Sequence, residues 1–195
     1  KAAHGSAASP SQMGRFETRW LTAEKNLSAL ADLSGQWIDR VHGRRPPRGI
    51  VLDMDSSVSP THGEQENSVW NGHYACTCYH PLFVFNQFGD LERSALRPGN
   101  VHSADGWKDV LDPVVDRYRG RVSRLYFRAD AGFANPDVYE FLEAERIKYA
   151  IRILTNKVLQ DRIGYLLTRP VWRPPNEVRR FHANFTYRAG SWTKP

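Results

Sequence analysis

Two aspartates stand where apolar runs would not be expected to carry acid. Ile50-Val51-Leu52-Asp53-Met54-Asp55 and Leu125-Tyr126-Phe127-Arg128-Ala129-Asp130 are short apolar runs, each ending in an aspartate. Runs of this length, rich in aliphatic and aromatic residues, read as core strands. If the two strands are neighbours in one sheet, the terminal carboxylates meet, which costs free energy unless a cation joins them. Oxygen ligands on rigid strands suit Mg2+ or Mn2+, hard ions that keep waters and share one or two protein carboxylates with substrate phosphate oxygens. The corresponding chemistry is in-line displacement at a phosphodiester by water or a 3′-hydroxyl. Strand alternation puts Asp53 on the same face as Asp55, so either can supply the first ligand. The competing role for such aspartates is to cap the loops that follow the strands.

Other constellations are weaker. His62, Gly63 and Gln65 lie in a polar loop after the first acid, within reach of a substrate or metal. His73, Cys76, Cys78 and His80 are zinc-ligand types, but alternation separates His73 from the other three, and the spacing matches no standard structural zinc site; packing is the expected role. Arg97, Arg128 and Arg152 are candidates for phosphate contacts near the acidic edge, with surface ion pairing as the alternative. Arg44, Arg45, Arg48, Arg169, Arg173, Arg179 and Arg180 cluster in extended arms with Trp172 and Phe181 nearby, a composition suited to the DNA backbone.

The elements that must position these residues follow from the hydrophobic period. Phe16, Trp20, Leu27, Leu30, Leu33, Trp37 and Ile38 recur at helical spacing, predicting one or two helices over 11–39 with Ser11 as N-cap. Paired prolines in Gly43-Arg44-Arg45-Pro46-Pro47-Arg48-Gly49 end that unit. After the first strand comes a polar loop, then one or two strands between Tyr74 and Phe88, a turn at Gly89-Asp90 and a returning strand over Leu91–Leu96, together an antiparallel meander. Residues 105–118 have helical spacing interrupted by Pro113. A strand ending at Asp130, a helix capped by Asn135 with Pro136 in its first turn, and a strand over Lys148–Ile153 make a parallel strand–helix–strand unit. Beyond Thr155 the basic chain reads as loops and an unfinished hairpin near Phe181–Tyr187. The expected fold class is a mixed α/β sheet with flanking helices, divided into an N-terminal lead and helical segment (1–48), a core (49–155) and a basic extension (156–195).

The 195 residues hold 27 Lys+Arg against 21 Asp+Glu and are 41% hydrophobic, enough for one ordinary core and too apolar for a disordered polymer. No apolar run approaches the roughly 20 residues of a membrane span. The acid sits in the middle: residues 1–50 carry 8 basic and 4 acidic side chains, 51–150 carry 10 and 15, and 151–195 carry 9 and 2. A carboxylate-rich centre between basic arms fits a divalent cation in the middle and a polyanion such as DNA on the arms. Cys76 and Cys78 are too close along a strand to bridge without strain, so a reduced, cytosolic protein is expected. The chain opens at Lys1 without an initiator methionine or an apolar leader and is expected to be part of something longer.

Five motifs occur in order: Leu52-Asp53-Met54-Asp55-Ser56-Ser57, Thr61-His62-Gly63-Glu64-Gln65-Glu66, Tyr79-His80-Pro81-Leu82, Leu96-Arg97-Pro98-Gly99-Asn100 and Arg128-Ala129-Asp130-Ala131-Gly132-Phe133. Together, over roughly residues 11–195, they resemble bacterial insertion-sequence transposases of the DDE type. The resemblance implies an RNase H-like fold, Mg2+ or Mn2+, and cleavage and strand transfer of double-stranded DNA at transposon ends and target. It also implies a homodimer in the active assembly and a bacterial cytoplasmic, nucleoid-associated location. Asp55, followed by Ser56-Ser57, matches the family's first acid and Asp130 its second, with Asp53 as fallback for the first. The third acid, a glutamate on a later helix, is expected beyond a basic segment like 169–195 and so outside this chain. Glu140, Glu143 and Glu145 do not stand in its place. The rival expectations are a non-catalytic DNA-binding remnant and a metal-dependent hydrolase of another substrate.

Overall fold

The computed structural model describes residues 8–168, 171, 178 and 180–193. Pro10 sets the start of the first helix, because proline fills the first helical position without needing an amide there. Ser9 caps it: the Ser9 hydroxyl accepts from the Gln12 amide, and Gln12 Oε1 accepts from the Ser9 amide at 2.9 Å. The cap therefore precedes the expected Ser11 by two residues. Helix α1 covers Pro10–Arg15, a π-helical stretch covers Phe16–Leu21, and α2 runs over Glu24–Arg44, stopping just before the paired prolines. The inner side of α2 buries Gly35 and Ile38, and Ser34 Oγ donates to the Glu92 carbonyl at 3.2 Å.

Burial alternates along β1 (Gly49–Ser56): Ile50, Leu52 and Met54 are buried, while Val51, Asp53 and Asp55 face the other side. Strands β2 (Ser59–Pro60), β3 (Val69–Asn71) and β4 (Cys76–Tyr79) form a small antiparallel sheet in the order β2-β4-β3. The stretch expected to be only a polar loop thus contains two strands, too short and too polar to be marked by any period. β5 (Leu82–Asn86) and β6 (Leu91–Ala95) form the hairpin predicted around Gly89, whose φ of +84° suits glycine at that turn. Helix α3 (Trp107–Tyr118) carries Pro113 without breaking, because Val110, Leu111, Val114, Val115 and Tyr118 anchor both its halves in the core.

Strand β7 (Arg124–Ala129) leads through a 3-10 turn (Ala131–Phe133) into α4 (Pro136–Ala144), where Asn135 accepts from the Asp137 amide at 3.0 Å as its cap; β8 (Lys148–Ile151) follows. Helix α5 (Lys157–Ile163), capped by Asn156, and a 3-10 turn (Gly164–Leu167) replace the loops expected after Thr155, and the described residues 180–193 contain no strand of the expected hairpin. The main sheet has the order β6-β5-β1-β7-β8, antiparallel through β6, β5 and β1 and parallel through β1, β7 and β8. This is the mixed α/β sheet with flanking helices anticipated from the sequence. Its core includes Leu52, Phe127, Phe133 and Leu142, all essentially without solvent contact. Each such side chain contributes about 1.5–3 kcal/mol of burial.

One buried patch is polar. Glu92 on β6 is fully buried and accepts from Asn86 Nδ2 at 2.8 Å and the Tyr118 hydroxyl at 2.6 Å, and its other oxygen pairs with Arg117. Arg117 lies against Gly35 of α2 and also faces Asp39, which accepts from Arg121 at 2.8 Å. A buried carboxylate is tolerated when its lone pairs are filled in this way, and the network ties α2 to the sheet.

Candidate metal centre

The β1–β7 register decides where the acids meet. Leu52 pairs with Phe127, Asp53 with Arg128 and Met54 with Ala129, so Asp55, the next residue of β1, and Asp130, the first residue after β7, leave the last paired positions side by side. Neighbouring strands are about 4.8 Å apart, and the two carboxylates share the face that Asp53 and Arg128 also occupy. Asp55 Oδ1 accepts from the Ser56 amide at 2.8 Å; Asp130 Oδ1 accepts from the Gly132 amide at 2.9 Å. The second oxygen of each has no protein partner among the described residues, and neither aspartate forms an ion pair there.

Asp53 is engaged differently. Arg128 donates to it through Nε at 2.6 Å and through Nη2 at 2.5 Å, a two-pronged pair that raises the Arg128 pKa, chiefly through the hydrogen bonds to Asp53. Both Asp53 oxygens are occupied by this fork, and so is the guanidinium expected to meet a phosphate.

The residues present fit a hard divalent ion. Two adjoining carboxylates repel each other when ionised, and a cation removes that repulsion. Mg2+ takes one or two protein carboxylates and fills its octahedron with water and substrate oxygens, so two acids suffice as its protein share. Among the described residues no group of three His, Cys, Asp or Glu converges on a common point.

The turn that aims Asp130 is held from behind. Phe133 is fully buried, and a Cβ added to Gly132 would come within 2.9 Å of the Ser103 Cβ. Ser103 belongs to a loop gathered by Arg97, which donates from Nε to the His80 carbonyl at 2.8 Å and from Nη1 to the Ser103 carbonyl at 3.0 Å, the His102 carbonyl at 3.3 Å and the Asp105 carbonyl. Arg97 is only 8% exposed, and burial lowers its pKa while Asp105 opposes that shift. The expectation that Arg97 contacts DNA is therefore corrected: its Nε and Nη1 are taken by backbone carbonyls, and its Nη2 is buried without a hydrogen-bond partner among the described residues. Neither its side chain nor that of Ser103 carries a local sequence signal for this role.

Of the three arginines near the acidic edge, Arg152 is the one left available. Ala129 pairs with Ile151, and the Arg152 amide donates to the Ala129 carbonyl at 3.2 Å, so Arg152 follows Asp130 across the sheet and is exposed. Arg44, Arg45 and Arg48 are exposed at the opposite end of β1, about 20 Å of strand away from Asp55. Arg180 is exposed; Arg169, Arg173 and Arg179 lie outside the described residues. His62, Gly63 and Gln65 are exposed between β2 and β3. Cys76 and Cys78 are unbridged, and burial, with Cys76 beside it, pushes the Cys78 thiol pKa up.

A family model described as Transposase DDE domain group 1 matches residues 1–195. Among curated proteins none matches. Solved structures similar to the chain include a piggyBac transposase synaptic complex with hairpin DNA (16% identity, TM-score 0.41, covering 66% of this chain and 27% of that one). They also include the catalytic domain of Mos1 mariner transposase (13% identity, TM-score 0.40, 74% and 69%). A third is a Mos1 mariner paired-end complex with Mn (15% identity, TM-score 0.34, 84% and 59%). The chain thus spans about a quarter of the piggyBac transposase chain.

Proposed function

The chain belongs to the family of transposase DDE domains, group 1, and from that premise we propose that it is the metal-binding, strand-cleaving and strand-joining unit of an insertion-sequence transposase acting on double-stranded DNA. The observation that carries the reading is that Asp55, near the end of β1, and Asp130, the first residue after β7, each follow the last paired positions Met54 and Ala129 of two neighbouring parallel strands, with Asp53 held by Arg128. Asp55 and Asp130 are the residues that hold Mg2+ or Mn2+. When bound, the ion supplies Lewis acidity to a scissile phosphodiester and lowers the pKa of an attacking water or 3′-hydroxyl. The backbone amides of Ser56 and Gly132 each hold one oxygen of these carboxylates and leave the other available to a metal ion. Arg152 sits beside Asp130 and neutralises a phosphate oxygen of the DNA strand. Arg44, Arg45 and Arg48 contact the DNA backbone at the far end of the sheet, without reading sequence.

Binding of Mn2+ to the chain, followed by electron paramagnetic resonance with and without duplex DNA, tests this reading. Linkage requires that DNA tighten Mn2+ binding and that Mn2+ tighten DNA binding by the same factor. Arg152→Ala should lessen that factor without changing Mn2+ affinity in the absence of DNA. Mn2+ binding indifferent to DNA would instead favour a metal-dependent hydrolase of another substrate, and DNA binding without Mn2+ binding a non-catalytic DNA-binding remnant.

A further inference from the structure

The helical segment before β1 carries more apolar residues than the sheet covers. On α2 the side turned to the sheet buries Gly35 and Ile38, and Ser34 is bonded to the Glu92 carbonyl of β6. Leu27, Leu30, Leu33, Trp37 and Val41 follow one another at steps of three and four residues, which at 3.6 residues per turn makes a second stripe along the same helix. Each of them is between 46% and 62% exposed. Upstream, α1 and the π-helical stretch bury no residue, and their Met13, Phe16 and Trp20 are exposed as well. Asn26 Nδ2 donates to the Trp20 carbonyl at 2.6 Å and ties that stretch to α2. Helical pieces this short are marginal in water unless an apolar face is packed, so 10–21 and the outer side of α2 both call for a partner.

Size and pattern select a second copy of this chain. The stripe on α2 exposes on the order of 500 Å2, which is the apolar share, about 65%, of the roughly 800 Å2 that each partner brings to a standard homodimer interface. Single exposed apolar residues are ordinary on a monomer, whereas a continuous stripe of this size marks an interaction surface. Leu27, Leu30, Ser34, Trp37 and Val41 alternate steps of three and four, the spacing of a two-helix seam, with the small Ser34, its hydroxyl already satisfied, at the centre. The basic residues Arg40 and Arg44 stand at the C-terminal end, and the Arg40 guanidinium lies 5.2 Å from the Trp37 ring centroid. Parallel pairing of two such helices stacks these arginines on their own copies. Antiparallel pairing about the centre of the stripe sets the two Arg44 about 30 Å apart and opposes the helix dipoles. It also presents the same patch from both copies, as a two-fold axis requires. We propose that the chain forms a two-fold homodimer in which α2 packs antiparallel on α2 of a second copy, with Leu27 and Leu30 of one opposite Trp37 and Val41 of the other.

The pairing does not rest on the Asp55–Asp130 reading, and its failure leaves that reading in place. Its test is sedimentation equilibrium of the whole chain between about 1 and 100 µM. A dimer is expected, with a dissociation constant raised at least about 100-fold by Trp37→Glu, because a two-fold interface loses that anchor twice. Trp70→Glu, at an exposed tryptophan of β3 outside the stripe, should leave association unchanged. Both tryptophans are exposed, so the fold survives either change, which urea midpoints verify. Orientation is read from Leu27→Glu and Val41→Lys: each variant alone is monomeric, and their mixture regains a dimer because antiparallel pairing sets position 27 against position 41. The proposal is overturned by a monomer over the whole range, which gives the stripe to a different chain. It is equally overturned by a dimer that Trp37→Glu leaves intact, by the same loss in Trp70→Glu, or by a mixture that stays monomeric.

Discussion

Replacing Arg97 by methionine keeps an unbranched stem as far as the position of Nε and removes the guanidinium donors from the loop behind Asp130. Three carbonyls lose a close partner, those of His80 (2.8 Å), Ser103 (3.0 Å) and Asp105, while the 3.3 Å approach to His102 adds little. At about 1 kcal/mol for each close bond, the loss is about 3 kcal/mol, and the desolvation already borne by the buried guanidinium keeps it from being larger. For a chain of this size, with a urea slope of about 2–3 kcal/mol per molar, the unfolding midpoint should fall by about 1–1.5 M. Because Ser103 abuts Gly132 and Gly132 donates to Asp130, Mn2+ affinity should also weaken, by about tenfold, as for the loss of a group that orients a ligand. Arg97→Lys keeps the charge but not the fork and should recover less than half of the stability. A midpoint within about 0.3 M of the parent for Arg97→Met, measured by urea titration of fluorescence, would refute the reasoning, because the carbonyls would then be satisfied without the guanidinium.

Three further outcomes follow from the same contacts. Gly132→Ala drives a Cβ into Ser103 Cβ and to 3.1 Å from Asp130 Oδ1, and Mn2+ titration should show weaker binding while a urea melt shows a loss of about 1–3 kcal/mol. Asp53→Asn breaks an ion pair whose partners are 58% and 35% exposed; its cost should stay below about 1 kcal/mol, and Mn2+ affinity should be retained, whereas a large loss would make Asp53 a ligand. Burial raises the Tyr118 pKa above that of a free tyrosine. A group whose folded value is raised contributes fully below its unfolded value, about 10, and loses that contribution as pH rises towards the folded one. Tyr118→Phe should therefore flatten the fall in urea midpoint above about pH 10 relative to the parent, at the cost of one donor to Glu92.

The strand-end acids were legible because central strands of a parallel sheet are near-continuous apolar runs, against which Asp55 and Asp130 stand out. Their juxtaposition was not contained in either run. It depends on a register fixed by the packing of Leu52 against Phe127 and by the chain between them. Arg97 was misread for a physical reason: beside Pro98-Gly99 it has the local look of an exposed turn, and only the fold wraps residues 102–105 around it. The helix after Thr155 was masked by basic composition, although Asn156 before a run of good helix formers is a cap signal in its own right. An aromatic cavity brings Tyr139 and Tyr149 together with Tyr187 and Trp192, residues about 40 to 50 positions apart, a separation no periodicity spans.

The central claim is that Asp55 and Asp130 together hold one divalent ion. Its most direct test is Mn2+ titration, by electron paramagnetic resonance, of the parent chain and of Asp55→Asn, Asp130→Asn and Asp53→Asn, with unfolding midpoints confirming that each variant is folded. The account predicts that Asp55→Asn and Asp130→Asn each weaken binding by more than about tenfold and that Asp53→Asn does not. Equal affinity in all four proteins would contradict it.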